Sequence, residues 1–226
     1  MTGGGVLVAG GTGALGAAVV RELLSAERPV WATWLVESER ERMEEAAGLT
    51  LVRADLFDPG EAAAAVAAVD DLSAVVDLVG GFSSGPLVHE TEPDEFERLL
   101  RLNLRPAFLL ARAAMPHLVE RGGGSFVAVS ARAALRPFAG AAAYSTAKAA
   151  VLAFVRALDA DYRAAGVRAN AILPSVIDTS ANRAASPDAD HSRWVSPDEI
   201  ARVVRFLVSE DSAPTSGAAI PVYGRA

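Results

Sequence analysis

Tyr144 and Lys148 stand four residues apart in the run YSTAK, at the head of an apolar helical stretch. On a helix, residues i and i+4 share a face, so the ammonium lies beside the phenol. A free tyrosine titrates near ~10 and is a poor acid at neutral pH, and a nearby cation stabilises its phenolate and lowers that value. The pair reads as a proton donor with its own tuning charge. Such pairs also occur by chance as solvated neighbours, so context decides. The context is the opening of the chain, where an apolar run leads into GGTGALG. Gly10, Gly13 and Gly16 permit a tight turn and let backbone N–H groups approach a pyrophosphate, and the helix that follows adds partial positive charge beneath it. A dinucleotide loop followed by a tuned phenol implies hydride chemistry.

The elements that must position these groups follow from hydrophobic period. Val6 to Ala9 reads as a buried parallel strand, and Gly13 to Ala26 as a helix with Leu15, Val19, Leu23 and Leu24 on one face. Further strands are expected at Val30 to Trp34, Leu49 to Arg53, Ala74 to Val79, Ser125 to Ser130, Val167 to Leu173 and Ala219 to Val222. Helices are expected at Glu37 to Ala47, Glu61 to Val69, Asp94 to Val119, Tyr144 to Ala165 and from Ser196 to about Ser209. Pro106 and Pro116 should kink or split the third of these. Ser196-Pro197-Asp198-Glu199 has the form of a helix start. Strict alternation of strand and helix predicts an α/β fold, a single-domain, Rossmann-like, doubly wound sheet of seven mainly parallel strands with helices on both faces. No composition break marks a second domain, so residues 1–226 read as one unit, with 180–195 as an irregular lid over a small-molecule substrate.

Bulk properties exclude other classes. A net charge of −7 argues against a nucleic-acid or anionic-membrane partner. With no cysteine, disulfides, thiolate nucleophiles and Cys-based zinc sites are excluded. His89, His117 and His191 are widely spaced, and no metal site is expected. There is neither a cationic leader nor a long uncharged apolar run, so the expected location is the cytoplasm.

Past the second strand, an acid would bind the ribose 2′-hydroxyl of NAD, while an arginine would favour NADP. Thr33, Trp34 and Leu35 carry no acid; the first acid is Glu37 and the first base Arg40. The reading leans to NADPH/NADP and leaves NADH/NAD open.

GGTGALG, the Val79-Gly80-Gly81 run, Asn103-Leu104, YSTAK and LPSVIDT (Leu173 to Thr179) fall in the order of the short-chain dehydrogenase/reductase family, which the chain resembles along essentially its whole length. Within the family the look is nearest to dihydropteridine reductases, through GGTGALG, the Gly-Gly-aromatic step at Phe82 and the segment Ile177 to Trp194. The resemblance implies roles. Tyr144 would give a proton to the substrate heteroatom, and Lys148 would tune it and hold the nicotinamide ribose. Asn103 would anchor a water of the proton relay. The cofactor would lie on Gly10, Thr12, Gly13, Ala14, Leu15 and Gly16, on Gly80 and Gly81, on Asp55 and Leu56 at the adenine, and on Pro174, Ile177 and Thr179 at the carboxamide and a phosphate. Phe82, Asn182, Arg183 and Trp194 are candidate substrate contacts, with packing as the alternative for Phe82 and Trp194. A homodimer or homotetramer is likewise implied, and Val151, Phe154, Val155 and Leu158 could face a second copy or the sheet.

One position departs from the family. Its serine, thirteen residues before the tyrosine, is here Ala131. Ser130 is adjacent and is retained as a catalytic candidate, with a structural role as the alternative, because strand neighbours face opposite ways. Two other readings stay open: dihydropteridine reductase proper, and a redox sensor that binds the dinucleotide without catalysis.

Overall fold

The computed structural model describes residues 3–225; residues 1, 2 and 226, at the outer ends of the expected domain, lie outside them. Seven strands form one sheet: β1 (Gly5–Ala9), β2 (Val30–Trp34), β3 (Leu49–Arg53), β4 (Leu72–Asp77), β5 (Gly124–Val129), β6 (Val167–Pro174) and β7 (Ala219–Val222). Their order is β3-β2-β1-β4-β5-β6-β7, and each neighbouring pair is parallel. The fold is therefore the expected Rossmann-like sheet. The chain winds outward from β1 in both directions, so β1 and β4 form the switch point at whose carboxyl end such folds bind ligands.

Alternation along the strands builds two cores. Leu7, Val75 and Phe126 face one side, under α3 (Pro59–Ala67), α4 (Pro93–Glu120) and α5 (Ala142–Tyr162). Val8, Val76 and Val127 face the other, under α1 (Ala14–Ser25) and α7 (Pro197–Leu207). Being covered on both faces, the strands read as continuous apolar runs in the sequence. Val151, Val155 and Leu158 belong to the first core, so this face of α5 meets the sheet. Among the described residues, no helix is long and apolar enough to cross a membrane.

Three elements differ from expectation. α4 runs unbroken for 28 residues through Pro106 and Pro116. Each proline removes one helical hydrogen bond, and burial of Leu99, Leu110, Ala111, Ala114 and Leu118 along the same helix offsets that loss. The helix expected at Glu37 to Ala47 is only α2 (Glu37–Arg40) and dissolves into turns. Glu37, Glu41 and Glu45 would stack at i,i+4 on one face, where like charges repel. Conversely, the segment expected to be irregular carries α6 (Ser180–Ala185), started by Thr179, whose hydroxyl accepts the Asn182 N–H at 3.2 Å. The Ser196 start of α7 is as read, with Ser196 and Glu199 capping each other's N–H groups.

Candidate active site

The turn after β1 sits at the switch point. Gly10 takes a left-handed φ of 70°, which the turn out of the strand requires. Gly16 is held by contact: a Cβ there would run into the Gly10 carbonyl oxygen and come within 2.6 Å of the Gly11 carbonyl carbon. The first turn of α1 therefore packs directly on the loop. No side chain caps α1 at Gly13, and its first turn carries no acid. The first helical bond is the Ala17 N–H to the Gly13 carbonyl at 2.9 Å, which leaves the Ala14, Leu15 and Gly16 N–H groups for a ligand. A Cβ on Gly13 would meet only the Gly10 oxygen, at 3.5 Å, so the space above the loop is open. Bare N–H groups, positive dipole and open space fit a pyrophosphate.

Two residues that the sequence reading passed over fix this loop. The Thr33 hydroxyl accepts the Gly10 N–H at 2.9 Å, and its carbonyl accepts the Gly11 N–H at 3.1 Å. The Thr12 hydroxyl donates to Glu39 at 3.3 Å. A threonine inside the tip of an otherwise apolar strand was the available signal for the first. Glu39 was masked by its run of neighbouring acids.

Across the switch point, β4 ends at Asp77 and leads to Gly80 and Gly81. Asn103 of α4 braces this turn: it accepts the Gly81 N–H and donates to the Gly81 carbonyl, both at 3.1 Å, and donates to the Leu99 carbonyl at 3.0 Å. Lys148 of α5 reaches the same place. Its Nζ donates to the Val129 carbonyl at 3.0 Å, and a Cβ on Gly80 would lie 3.0 Å from Nζ and 2.6 Å from Asn103 Oδ1. Lys148 is the only lysine in the sequence and is 5% exposed. Burial lowers its pKa to about 8, with Asp77 pulling the other way.

Tyr144 lies one turn earlier on α5. Phe82 packs edge-on against its ring at 5.0 Å between centroids, and the loop carrying Phe82 is tied to the one leading into α5 by a Gly85 N–H to Gly140 carbonyl bond of 2.9 Å. Phe82 is 63% exposed, so it walls the phenol on one side and faces solvent on the other. The expected acidification of the phenol is not found. Burial pushes Tyr144 up to about 12, while the Lys148 ammonium is engaged by the Val129 carbonyl. At neutral pH the phenol is thus fully protonated.

Ser130 is 2% exposed and donates its hydroxyl to the Lys148 main-chain carbonyl at 2.7 Å. This is a tie between β5 and α5, and it spends the hydroxyl away from the site mouth. Ala131 follows it, also buried.

The remaining candidates form the rim. Leu56 and Pro174 are buried at strand ends. The Asp55 carboxylate accepts the Phe57 N–H at 2.9 Å and shapes the turn after β3. Ile177 bridges to Val195, closing the base of the segment between them. Within that segment, Asn182 donates to the Ile177 carbonyl at 2.8 Å, Arg183 forks onto Asp178 at 2.5 and 2.7 Å, and Trp194 packs on the His191 ring at 4.3 Å. These groups hold the segment together through its own atoms.

Comparison with known proteins agrees with this architecture. A family model described as Enoyl-(Acyl carrier protein) reductase matches residues 10–224. The 2-(R)-hydroxypropyl-CoM dehydrogenase of Xanthobacter autotrophicus is 31% identical over 189 residues, covering 76% of each chain. A short-chain type dehydrogenase/reductase from Mycobacterium ulcerans superposes with a TM-score of 0.91 at 25% identity, over 100% of this chain and 90% of that one. A gluconate 5-dehydrogenase from Burkholderia cenocepacia, in complex with NADP and tartrate, does so with 0.89 at 25% identity, over 99% and 95%. On the family match and the shared fold, the chain belongs to the short-chain dehydrogenase/reductase family of oxidoreductases.

Proposed function

We propose that the protein transfers hydride between NADP(H) and a small carbonyl or C=N compound, with Tyr144 as the proton donor. The observation that carries this is the convergence of Lys148 and Asn103 on the Gly80–Gly81 turn, with Tyr144 against the adjoining Phe82, across the switch point from an uncapped helix N-terminus. When bound, the cofactor supplies the hydride from its nicotinamide C4. The chain supplies the rest. The uncapped N–H groups of the first turn of α1 hold the pyrophosphate, on a loop that Thr33 keeps in shape. Lys148 holds the ribose, and Asn103 keeps the Gly80–Gly81 turn in the shape the nucleotide passes. The protonated phenol of Tyr144 donates to the substrate heteroatom as the hydride reaches the adjacent carbon. Ile177 and Thr179 stand at the base of the segment that would cover the substrate, with Asn182, Arg183 and Trp194 within it. A homodimer or homotetramer through the α4 and α5 surfaces, where Phe108 and Phe154 pack at 6.1 Å, completes the reading, and light scattering would test it.

Ala131 shapes substrate choice. With no hydroxyl there, and Ser130 turned to the Lys148 carbonyl, nothing on β5 polarises a neutral ketone. A C=N group that already carries charge needs less help, and this favours iminium or quinonoid substrates, dihydropterins among them. A panel of aldehydes, ketones, quinones, cyclic imines and pterins with both coenzymes tests this. The C=N members should show the higher kcat/KM, and a clear preference for plain ketones would remove the argument. Binding of dinucleotide with no turnover of any member would instead favour the sensor.

Coenzyme choice has a handle of its own. The gluconate 5-dehydrogenase relative was solved with NADP, and Arg40 and Arg42 follow β2 here. Glu39 opposes them from its place on Thr12. Glu39→Gln is expected to tighten NADPH by up to about fivefold, the size of one partly exposed charge interaction, and to leave NADH nearly unchanged. Fluorescence titration of the two reduced coenzymes reads this directly. NADPH affinity that stays put would place Glu39 away from the ribose.

A further inference from the structure

We propose that Asp77 is a positioning residue of this site, a buried counter-charge whose carboxylate keeps Lys148 in its ammonium form. This rests on the reading of Lys148 as the cation that holds the ribose. Asp77 is the one charged residue of β4, whose other members are Leu72, Ser73, Ala74, Val75 and Val76, and it is 3% exposed. Alternation puts it on the same face as Val75, under α4 and α5, which is the face from which Lys148 enters. In register it stands opposite Ala9 on β1 and Ala128 on β5, so no bulky side chain flanks it on either neighbouring strand. The next residue after Ala128 is Val129, whose carbonyl receives Lys148 Nζ. Carboxylate and ammonium are thus placed over adjacent rungs of the sheet. Oδ1 is steadied by the Val79 N–H at 3.1 Å.

Among the described residues, no other charge acts on either member of the pair. α4 presents the Asn103 amide beside Nζ, and β1 and β5 present alanines. A lone carboxylate or a lone ammonium here would suffer the full cost of burial, and together each relieves the other. The titration directions agree: burial raises Asp77 to about 7 and the charge of Lys148 draws it back, while Asp77 draws Lys148 up against burial. An acid at that strand end has no packing function that an apolar residue would not serve better.

Asp77→Asn keeps the shape and the acceptor for the Val79 N–H, and removes the charge. Lys148 then loses the counter-charge that draws it up against burial, and its pKa falls further. In the reduction direction, the alkaline limb of kcat/KM is expected to move down by about one pH unit, the lower end of what one nearby opposite charge supplies. Because Lys148 is the only lysine, lysine labelled with 13C at Cε reports it as a single resonance in the cofactor-free protein. Its midpoint should fall by the same amount in the variant. That reading uses neither substrate nor coenzyme, so it judges Asp77 even where the proposed reductase chemistry fails. Asp77→Ala should show the same shift. An unshifted midpoint in Asp77→Asn, or a pH profile that Asn restores and Ala does not, would reduce Asp77 to a backbone acceptor and overturn the proposal. Should the variants not fold, the wild-type Lys148 resonance serves: it should respond to a second ionisation near that of Asp77, and a single-step titration would refute the pairing.

Discussion

Tyr144→Phe is expected to lower kcat by about 10²- to 10⁴-fold, the contribution of a positioned proton donor, while dinucleotide affinity stays at the wild-type value. The structure makes this a clean substitution. Among the described residues, the Tyr144 hydroxyl has no hydrogen-bond partner in the protein, and the ring keeps its edge-on packing with Phe82. Removing the oxygen breaks no internal bond, so thermal stability should move by no more than about 0.5 kcal/mol. With the phenol pushed up to about 12 by burial, loss of reductive activity above neutral pH is not expected to come from the tyrosine itself ionising. It should follow Lys148, whose ordinary value burial lowers to about 8. Steady-state kinetics with the best substrate of the panel and a coenzyme titration check both halves. Unchanged turnover would remove the phenol from the reaction, and joint loss of turnover and coenzyme binding would mean that its role is structural.

Gly16→Ala and Gly13→Ala should separate the two uses of the glycine loop. At Gly16 the new methyl has no room, since it meets the Gly10 carbonyl and the Gly11 backbone. Loop and helix must part, at a cost of about 1–3 kcal/mol in stability, and the pyrophosphate cradle is lost with them. Coenzyme binding is expected to become undetectable. At Gly13 the methyl makes an ordinary 3.5 Å contact and the backbone is already at φ −67°, which alanine adopts freely. The fold should therefore hold, with stability within about 0.5 kcal/mol of wild type. The methyl then projects into the open space above the loop, and coenzyme affinity should fall while the melting temperature does not. Calorimetric unfolding beside a fluorescence titration tests the contrast. Full affinity in Gly13→Ala would mean that the pyrophosphate lies elsewhere.

The parts legible in the sequence were those governed by short-range pattern. β2, β3 and β7 have the bounds that their apolar runs indicate, and the glycine loop has the strand-to-helix setting that its spacing demands. What the sequence hid depended on the third dimension. The prolines of α4 argue for a break in any isolated helix, and the sheet beneath them decides otherwise. The segment from Glu37 to Ala47 shows the reverse, since its alanines and glutamates favour helix one by one while the glutamates repel as a set. Asp77 is hidden in the sequence because the apolar run continues past it to Val79, while the strand itself ends at the acid. The Tyr144–Lys148 pair was legible as neighbours, but the side to which the ammonium turns is set by a carbonyl of β5, nineteen residues earlier in the chain.

Every other basic side chain outside the histidines is arginine, so acylating reagents that seek ε-amines find no target on the exterior. They reach Nζ only from the side of the Gly80–Gly81 turn, where the ribose would lie. With burial lowering its pKa to about 8, that nitrogen is nucleophilic in mildly alkaline solution. The rate of acylation of this one residue therefore reports access to that side, and a bound nucleotide would slow it.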